Sequence, residues 1–208
     1  MSDVPIDELL QTLGLTGDLA TRGRAILEEA GITNPRKQRL SAAKVEAATA
    51  EIDRRLDRLC HACRPRARQD GRELVRVPPG ACAACAGSRN RRAIDEMTAA
   101  CAAGGVRRLV VVGGSPATRR ELDELVDGRL ELRLVDGTRS PDRRSAQSDI
   151  AWADLIAVLG STQLAHKVST LYTRDRDARR KLITTSRRGI EAIADEITRS
   201  DVVAGARQ

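Results

Sequence analysis

Residues 108–114 read Arg-Leu-Val-Val-Val-Gly-Gly, a continuous apolar run closed by two glycines. So short a run without polar alternation fits a strand buried on both faces, as in a parallel sheet covered by helices. Downstream the rhythm repeats: TRRELDELV (118–126) suits a helix, LELRLV (130–135) a strand, SAQSDIAWA (145–153) a helix and DLIAVL (154–159) a third strand. AHKVSTLYTRDRDARR (165–180) then reads as one long helix and KLITTS (181–186) as a fourth strand. A last helix over about 189–198 turns Ile190, Ile193 and Ile197 inward. Strands alternating with helices predict an α/β domain over residues 105–208, a small four-stranded parallel sheet with right-handed crossovers.

Toward the amino terminus, residues 1–59 read as a helical segment. Ile6, Leu9, Leu10 and Leu13 share one helical face and Gly14 follows as a stop. A second helix is expected from about Asp18 to Ala30, closed by Gly31, and TNPRKQR (33–39) reads as a basic connector. From Ser41 a longer helix is expected to run directly into the first cysteine pair. Val45, Ile52, Leu56 and Leu59 form its inner stripe, and Glu51, Asp53, Arg54, Arg55, Asp57 and Arg58 its solvated face.

Cys60-x2-Cys63 and Cys82-x2-Cys85 have the spacing of a structural zinc site, in which each Cys-x-x-Cys turn places two thiolates on one side of the metal. A closed four-sulfur shell leaves no position for water, so Zn2+ is expected as a structural cofactor, with His61 outside the shell. Residues 60–104 are read as the zinc module and its following helix, in a treble-clef or ribbon shape. The strand RELVRV (72–77) and the turn Pro78-Pro79-Gly80 lie between the two pairs. Ile94, Met97 and Cys101 line the helix's inner side, Cys101 as a small buried apolar group. The start MSDVPIDELL lacks the basic and apolar run of a signal peptide, and no stretch approaches about eighteen consecutive apolar residues. A cytoplasmic protein with reduced thiols and no membrane partner is expected.

The 208 residues carry a net charge of +7, with no Phe, one Trp and one Tyr. That composition excludes nucleic-acid modules that stack bases on aromatic rings. Between Cys60 and Arg92 eight arginines face only Asp70 and Glu73, a local net charge of +6. Arg64, Arg66, Arg68, Arg72, Arg89, Arg91 and Arg92 are therefore candidates to grip a nucleic-acid backbone, RNA or DNA, without reading bases. A surface for an acidic protein partner, or a homodimer contact, competes with that reading.

In an open parallel sheet, ligands bind beyond the carboxyl ends of the strands, where the strand order reverses. Those ends carry Gly113, Gly114 and Ser115, then Ser161 and Thr162, then Arg187 and Arg188, a set suited to a phosphate. Asp136 follows the second strand, where nucleotide-binding sheets often keep a carboxylate for a ribose. His166 is the candidate catalytic residue.

Three segments in this order, VVVGGSP (Val110 to Pro116), ADLIAVLGSTQLAH (Ala153 to His166) and TTSRRGIEAI (Thr184 to Ile193), resemble a widespread bacterial family of uncharacterised Rossmann-like domains, here joined to a four-cysteine zinc module. The resemblance covers about residues 106–199 and implies a Rossmann-like fold with a crevice, not a reaction. The chain departs from the family at Ala165, where relatives often carry Ser before the histidine. Three functions follow as expectations. One is a nucleic-acid-binding protein whose Rossmann-like domain senses or dimerises. Another is a nuclease or phosphohydrolase using His166, in the manner of a stress or phage-defence effector. The third is a protein–protein adaptor.

Overall fold

The computed structural model describes residues 3–67, 70–139, 142–160 and 164–205. The fold is mixed α/β and divides into two compact units, Met1–Ser88 and Arg89–Gln208. Among the described residues no helix is long and apolar enough to cross a membrane.

The first unit begins with a two-residue strand β1 (Val4–Pro5) and helices α1 (Ile6–Thr12) and α2 (Asp18–Glu29), then β2 (Arg39–Leu40), α3 (Ala42–Arg55), β3 (Leu56–Leu59) and β4 (Glu73–Arg76). β1 pairs antiparallel with β2, so the end of the supposed basic connector is a short strand. α1 and α2 match the predicted faces, with Ile6, Leu9, Leu10, Ile26 and Leu27 buried. The third helix stops at Arg55, four residues before the predicted end. Leu56–Leu59 is instead a fully buried strand, paired in parallel with β4.

The solvated face assigned to that helix is thus corrected at three residues, because Glu51, Asp57 and Arg58 are buried. A charge tolerates burial only when it is paired and hydrogen-bonded. Arg58 meets that condition. Its Nε donates to Asp53 at 2.8 Å, and its Nη1 donates to the carbonyls of Leu13 at 3.0 Å and Ala81 at 2.8 Å. Glu51 accepts from Arg54 and from Arg55.

One hydrophobic core contains Ile6, Leu10, Leu27, Ile52 and all four paired cysteines. The helical segment and the cysteine module are therefore one unit, not divided at 59/60. The parallel β3–β4 pair also differs from the antiparallel hairpin on which a ribbon or treble clef is built.

The second unit opens with α4 (Arg89–Ala103), the helix expected to belong to the zinc module. It lies in this unit because Ala93, Ile94, Met97 and Cys101 join the core that covers one face of the sheet. Cys101 is fully buried there, and burial pushes its thiol up to about 11. After α4 come β5 (Arg108–Val112), α5 (Pro116–Val126), β6 (Glu131–Val135), α6 (Arg143–Trp152), β7 (Leu155–Leu159), α7 (His166–Thr173), β8 (Leu182–Thr185), α8 (Ile190–Arg199) and α9 (Asp201–Gly205). The four strands form one parallel sheet in the order β6-β5-β7-β8.

Alternate residues of the strands feed opposite layers. Leu109, Val111, Leu155 and Ala157 pack under α4, α5, α8 and α9, while Val110, Val112, Ile156 and Val158 pack under α6 and α7. The long helix expected over 165–180 ends at Thr173. Beyond it Asp175 Oδ1 accepts from the backbone N–H groups of Asp177 at 2.9 Å and Ala178 at 3.0 Å, an Asx-type turn that competes with helical bonding.

The entry to β7 is pinned to β5 by Asp154, which accepts from the amides of Arg107 at 3.0 Å and Arg108 at 2.9 Å and from the Arg108 guanidinium at 2.8 Å. Burial raises its pKa, but these donors outweigh burial and hold it below the ordinary 3.8. Replacing Asp154 with Ala leaves two backbone donors without their acceptor, and urea denaturation is expected to show a loss of about 1–3 kcal/mol. Because the folded pKa is depressed, the contribution is present at neutral pH and disappears as pH falls through the folded value. The variant and the parent chain should therefore converge in stability in strong acid.

Candidate functional site

Two separate constellations carry chemistry. In the first unit, Cys60, Cys63, Cys82 and Cys85 are all buried and their Sγ atoms lie within 4.8 Å of one another. The turn after β3 closes with Cys63 and Arg64 both donating to the Cys60 carbonyl, at 3.1 and 3.0 Å. The second turn is set by Ala83 donating to the Arg58 carbonyl at 2.8 Å and Ala86 to that of Cys82 at 2.9 Å, with Ala86 at φ 46°. The buried guanidinium of Arg58 and this strand therefore register the two turns against each other.

Four sulfurs around one ion at a metal–sulfur distance of about 2.3 Å stand about 3.8 Å apart, and the Cys60–Cys85 separation is 3.9 Å. Burial pushes the Cys82 thiol up, but backbone donors at Cys60, Cys85 and Ala84 outweigh it and draw the group down to about 7. Burial, then hydrogen bonds with Cys60 and Cys85, pushes Cys63 up. A cation placed among such thiols favours their deprotonated form. The donor set fits a metal ion, and His61 is exposed beside it.

In the second unit a crevice of about 610 Å3 opens at the carboxyl edge of the sheet, where the order reverses between β5 and β7. Gly114, Ser115, Arg119, Asp136, Thr138, Leu159, Arg187, Arg188 and Ile193 are among its lining residues. Gly113 and Gly114, at φ 100° and 83°, let the chain leave β5 and enter α5. Ser115 then caps α5, its Oγ accepting from Thr118 N at 3.1 Å.

Arg119, one turn into α5, donates to the Gly114 carbonyl at 2.6 Å and to Asp136 Oδ2 at 3.1 Å. Asp136 Oδ1 accepts from the Thr138 hydroxyl at 2.7 Å and the Thr138 amide at 2.8 Å. These Thr138 bonds, with the charge of Arg119, hold its carboxyl below the usual carboxylate range. On the opposite wall Arg187 and Arg188 are exposed and lead through Gly189 into α8.

The predicted residues divide on this map. Gly114, Ser115, Arg187, Arg188 and Asp136 meet in the crevice. Ser161, Thr162 and Arg68 lie outside the described residues, as does the Arg66 side chain. His166 is exposed at the start of α7 and is not among the described residues that line the crevice. Arg72 is tied to Asp70 at 2.9 Å and donates to the Asp53 carbonyl at 3.0 Å, so it clips the first unit together. Arg89, Arg91 and Arg92 stand on α4 of the second unit rather than on the cysteine module. Sequence reasoning missed Arg119 and Thr138. Four-residue spacing from Ser115 along a helix was the signal for Arg119.

Comparison of the chain with family models, curated proteins and solved structures gives no match.

Replacing Cys82 with Ser is expected to strip the metal from the purified chain and to lower the unfolding midpoint of the first unit, since a structural metal's binding energy is folding energy. Metal content by emission spectroscopy, alongside circular dichroism, checks this. Full metal content in the variant would contradict the four-thiolate site.

Proposed function

We propose that this chain is a zinc-stabilised binding protein whose Rossmann-like domain holds a phosphate-bearing small ligand at the carboxyl edge of its sheet. Zn2+ is the metal assigned to the four thiolates, as a structural ion, because four buried sulfurs at tetrahedral spacing suit it. The Rossmann-like assignment is supported by the strand order β6-β5-β7-β8 and by helices on both faces.

One observation carries the ligand reading: Arg187 and Arg188 meet the start of α8 in a single crevice, where Arg119 also lines the wall but is held by Gly114 and Asp136. Arginine forks and helix amino termini are both complementary to phosphate. Among the described lining residues the titratable groups are these arginines and Asp136, whose carboxylate is already bonded to Thr138 and Arg119. That supports binding over proton-transfer catalysis, which needs a group poised to give and take a proton.

Inorganic pyrophosphate is expected to raise the thermal unfolding midpoint of the second unit. Replacing Arg187 and Arg188 together with Ala should weaken its binding by at least about tenfold, the loss of one charge-assisted hydrogen bond or more. Binding unchanged in the double variant would sink this assignment.

Nucleic-acid contact is a second reading, favoured by exposed Arg64 and Arg76 on the cysteine-bearing unit. If it holds, affinity for a labelled duplex falls with salt by a slope of about −0.9 per arginine engaged, and Arg64→Ala with Arg76→Ala flattens that slope. Salt-independent or absent binding would remove it.

A further inference from the structure

The two ends of the crevice differ in chemistry, and the difference specifies a ligand. At the end formed by the glycine turn the charged donor is used, and the first turn of α5 keeps one amide without an acceptor among the described residues, that of Ala117. Ser115 Oγ takes the Thr118 amide, and Pro116, the first residue of α5, has no N–H to offer. Arg119, which would otherwise attract an anion there, is spent on the Gly114 carbonyl and on Asp136. Arginine and aspartate cancel, so this end presents little net charge.

The end formed after β8 is built the other way. Gly189, at φ 90°, precedes α8 and offers no side chain to cap it. Asn90 Oδ1 accepts from the Glu191 amide at 3.3 Å, while the amides of Ile190 and Ala192 have no acceptor among the described residues. Arg188 carries no salt bridge among the described residues and is exposed beside Arg187. Glu191 is the carboxylate nearest this end in sequence, and it lies 3.9 Å from Arg89.

The lining also includes the apolar side chains of Leu159, Ile193 and Pro116. At the far end Asp136 has about four acceptor positions on its two oxygens. Among the described residues three are occupied, by the Thr138 amide, the Thr138 hydroxyl and Arg119, and the fourth can accept from a ligand hydroxyl.

We infer that the crevice takes a ribonucleotide, with its phosphate at Arg187, Arg188 and the first turn of α8, and its sugar hydroxyls at Asp136. The glycine turn after β5 serves to position α5 and does not cradle the phosphate. This assignment rests on the proposed phosphate-bearing ligand and adds its class and direction. An anionic head, an apolar base and sugar hydroxyls in one molecule match the cationic, apolar and carboxylate parts of the lining. The volume of about 610 Å3 is within the ordinary range for a site of this kind.

Titration calorimetry of the zinc-loaded chain with inorganic phosphate and with each of the four common ribonucleoside monophosphates tests this. Both classes are expected to bind, the best nucleotide at least about tenfold more tightly than phosphate. Asp136→Asn, which keeps the side chain's shape, should reduce nucleotide affinity about tenfold and leave phosphate affinity unchanged, whereas Arg188→Ala should weaken both. Asp142→Ala, which removes the side-chain cap of α6 and lies outside the lining, with Thr138→Val as a second probe of the Asp136 end, separates loss of fold from loss of contact. The first should leave nucleotide affinity within about twofold, and the second should lower it without moving phosphate.

If phosphate binds and no nucleotide binds better, or if Asp136→Asn and Thr138→Val leave the nucleotide preference intact, the nucleotide assignment is overturned while the anion site stands. If neither phosphate nor any nucleotide binds the parent chain, the phosphate-ligand reading falls as well.

Discussion

All four strands of the second unit run in one direction, and the crevice depends on that constraint. Parallel strands need crossover connections, and strands that all run one way deliver their carboxyl ends to the same edge. Residues far apart in sequence, Gly114, Asp136, Leu159 and Arg187, are brought together there for no reason beyond topology. Because β6 and β7 flank β5 on opposite sides, the strand order reverses at β5, and the crevice lies at that reversal. Asp154 holds the other end of the same strand pair, so the sheet is fastened at one edge and open at the other.

The first unit answers a different problem. Its strands carry two or four residues, so apolar packing needs help from polar anchors. Two are present. The four cysteines occupy the core in place of larger side chains, and the buried Arg58 donates to the carbonyls of Leu13 and Ala81. Its charge is matched by Asp53, which is what makes the buried position tolerable. The four cysteines and this guanidinium thus act on the same two loops.

Much of this was legible in the sequence, for physical reasons that also explain the failures. RLVVVGG was read as a doubly buried strand because continuous apolarity has no other economical explanation, and Cys-x-x-Cys spacing is tied to metal geometry. Leu56–Leu59 was misread because Asp57 and Arg58 look like solvated helix positions, and only their tertiary partners make them buried strand residues. Asp175 ended a helix that periodicity alone would have continued. At the site, Arg187 and Arg188 were visible at a strand end. Arg119 stood inside a charged helix, where only its four-residue spacing from Ser115 marked it as a lining residue. His166 attracted a catalytic reading as a lone histidine in a suggestive segment, yet it stands exposed at the start of α7.

The central claim, that the crevice binds phosphate through the turn into α8, is most directly tested by amide chemical-shift mapping of the zinc-loaded chain during titration with a ribonucleotide. The account predicts saturating shifts at Gly189, Ile190 and Ala192, accompanied by shifts at Asp136 and Thr138, with Ala117 in the first turn of α5 little changed. Shifts centred on Ala117 and the glycine turn, or no saturating shift at Gly189 to Ala192, would contradict it.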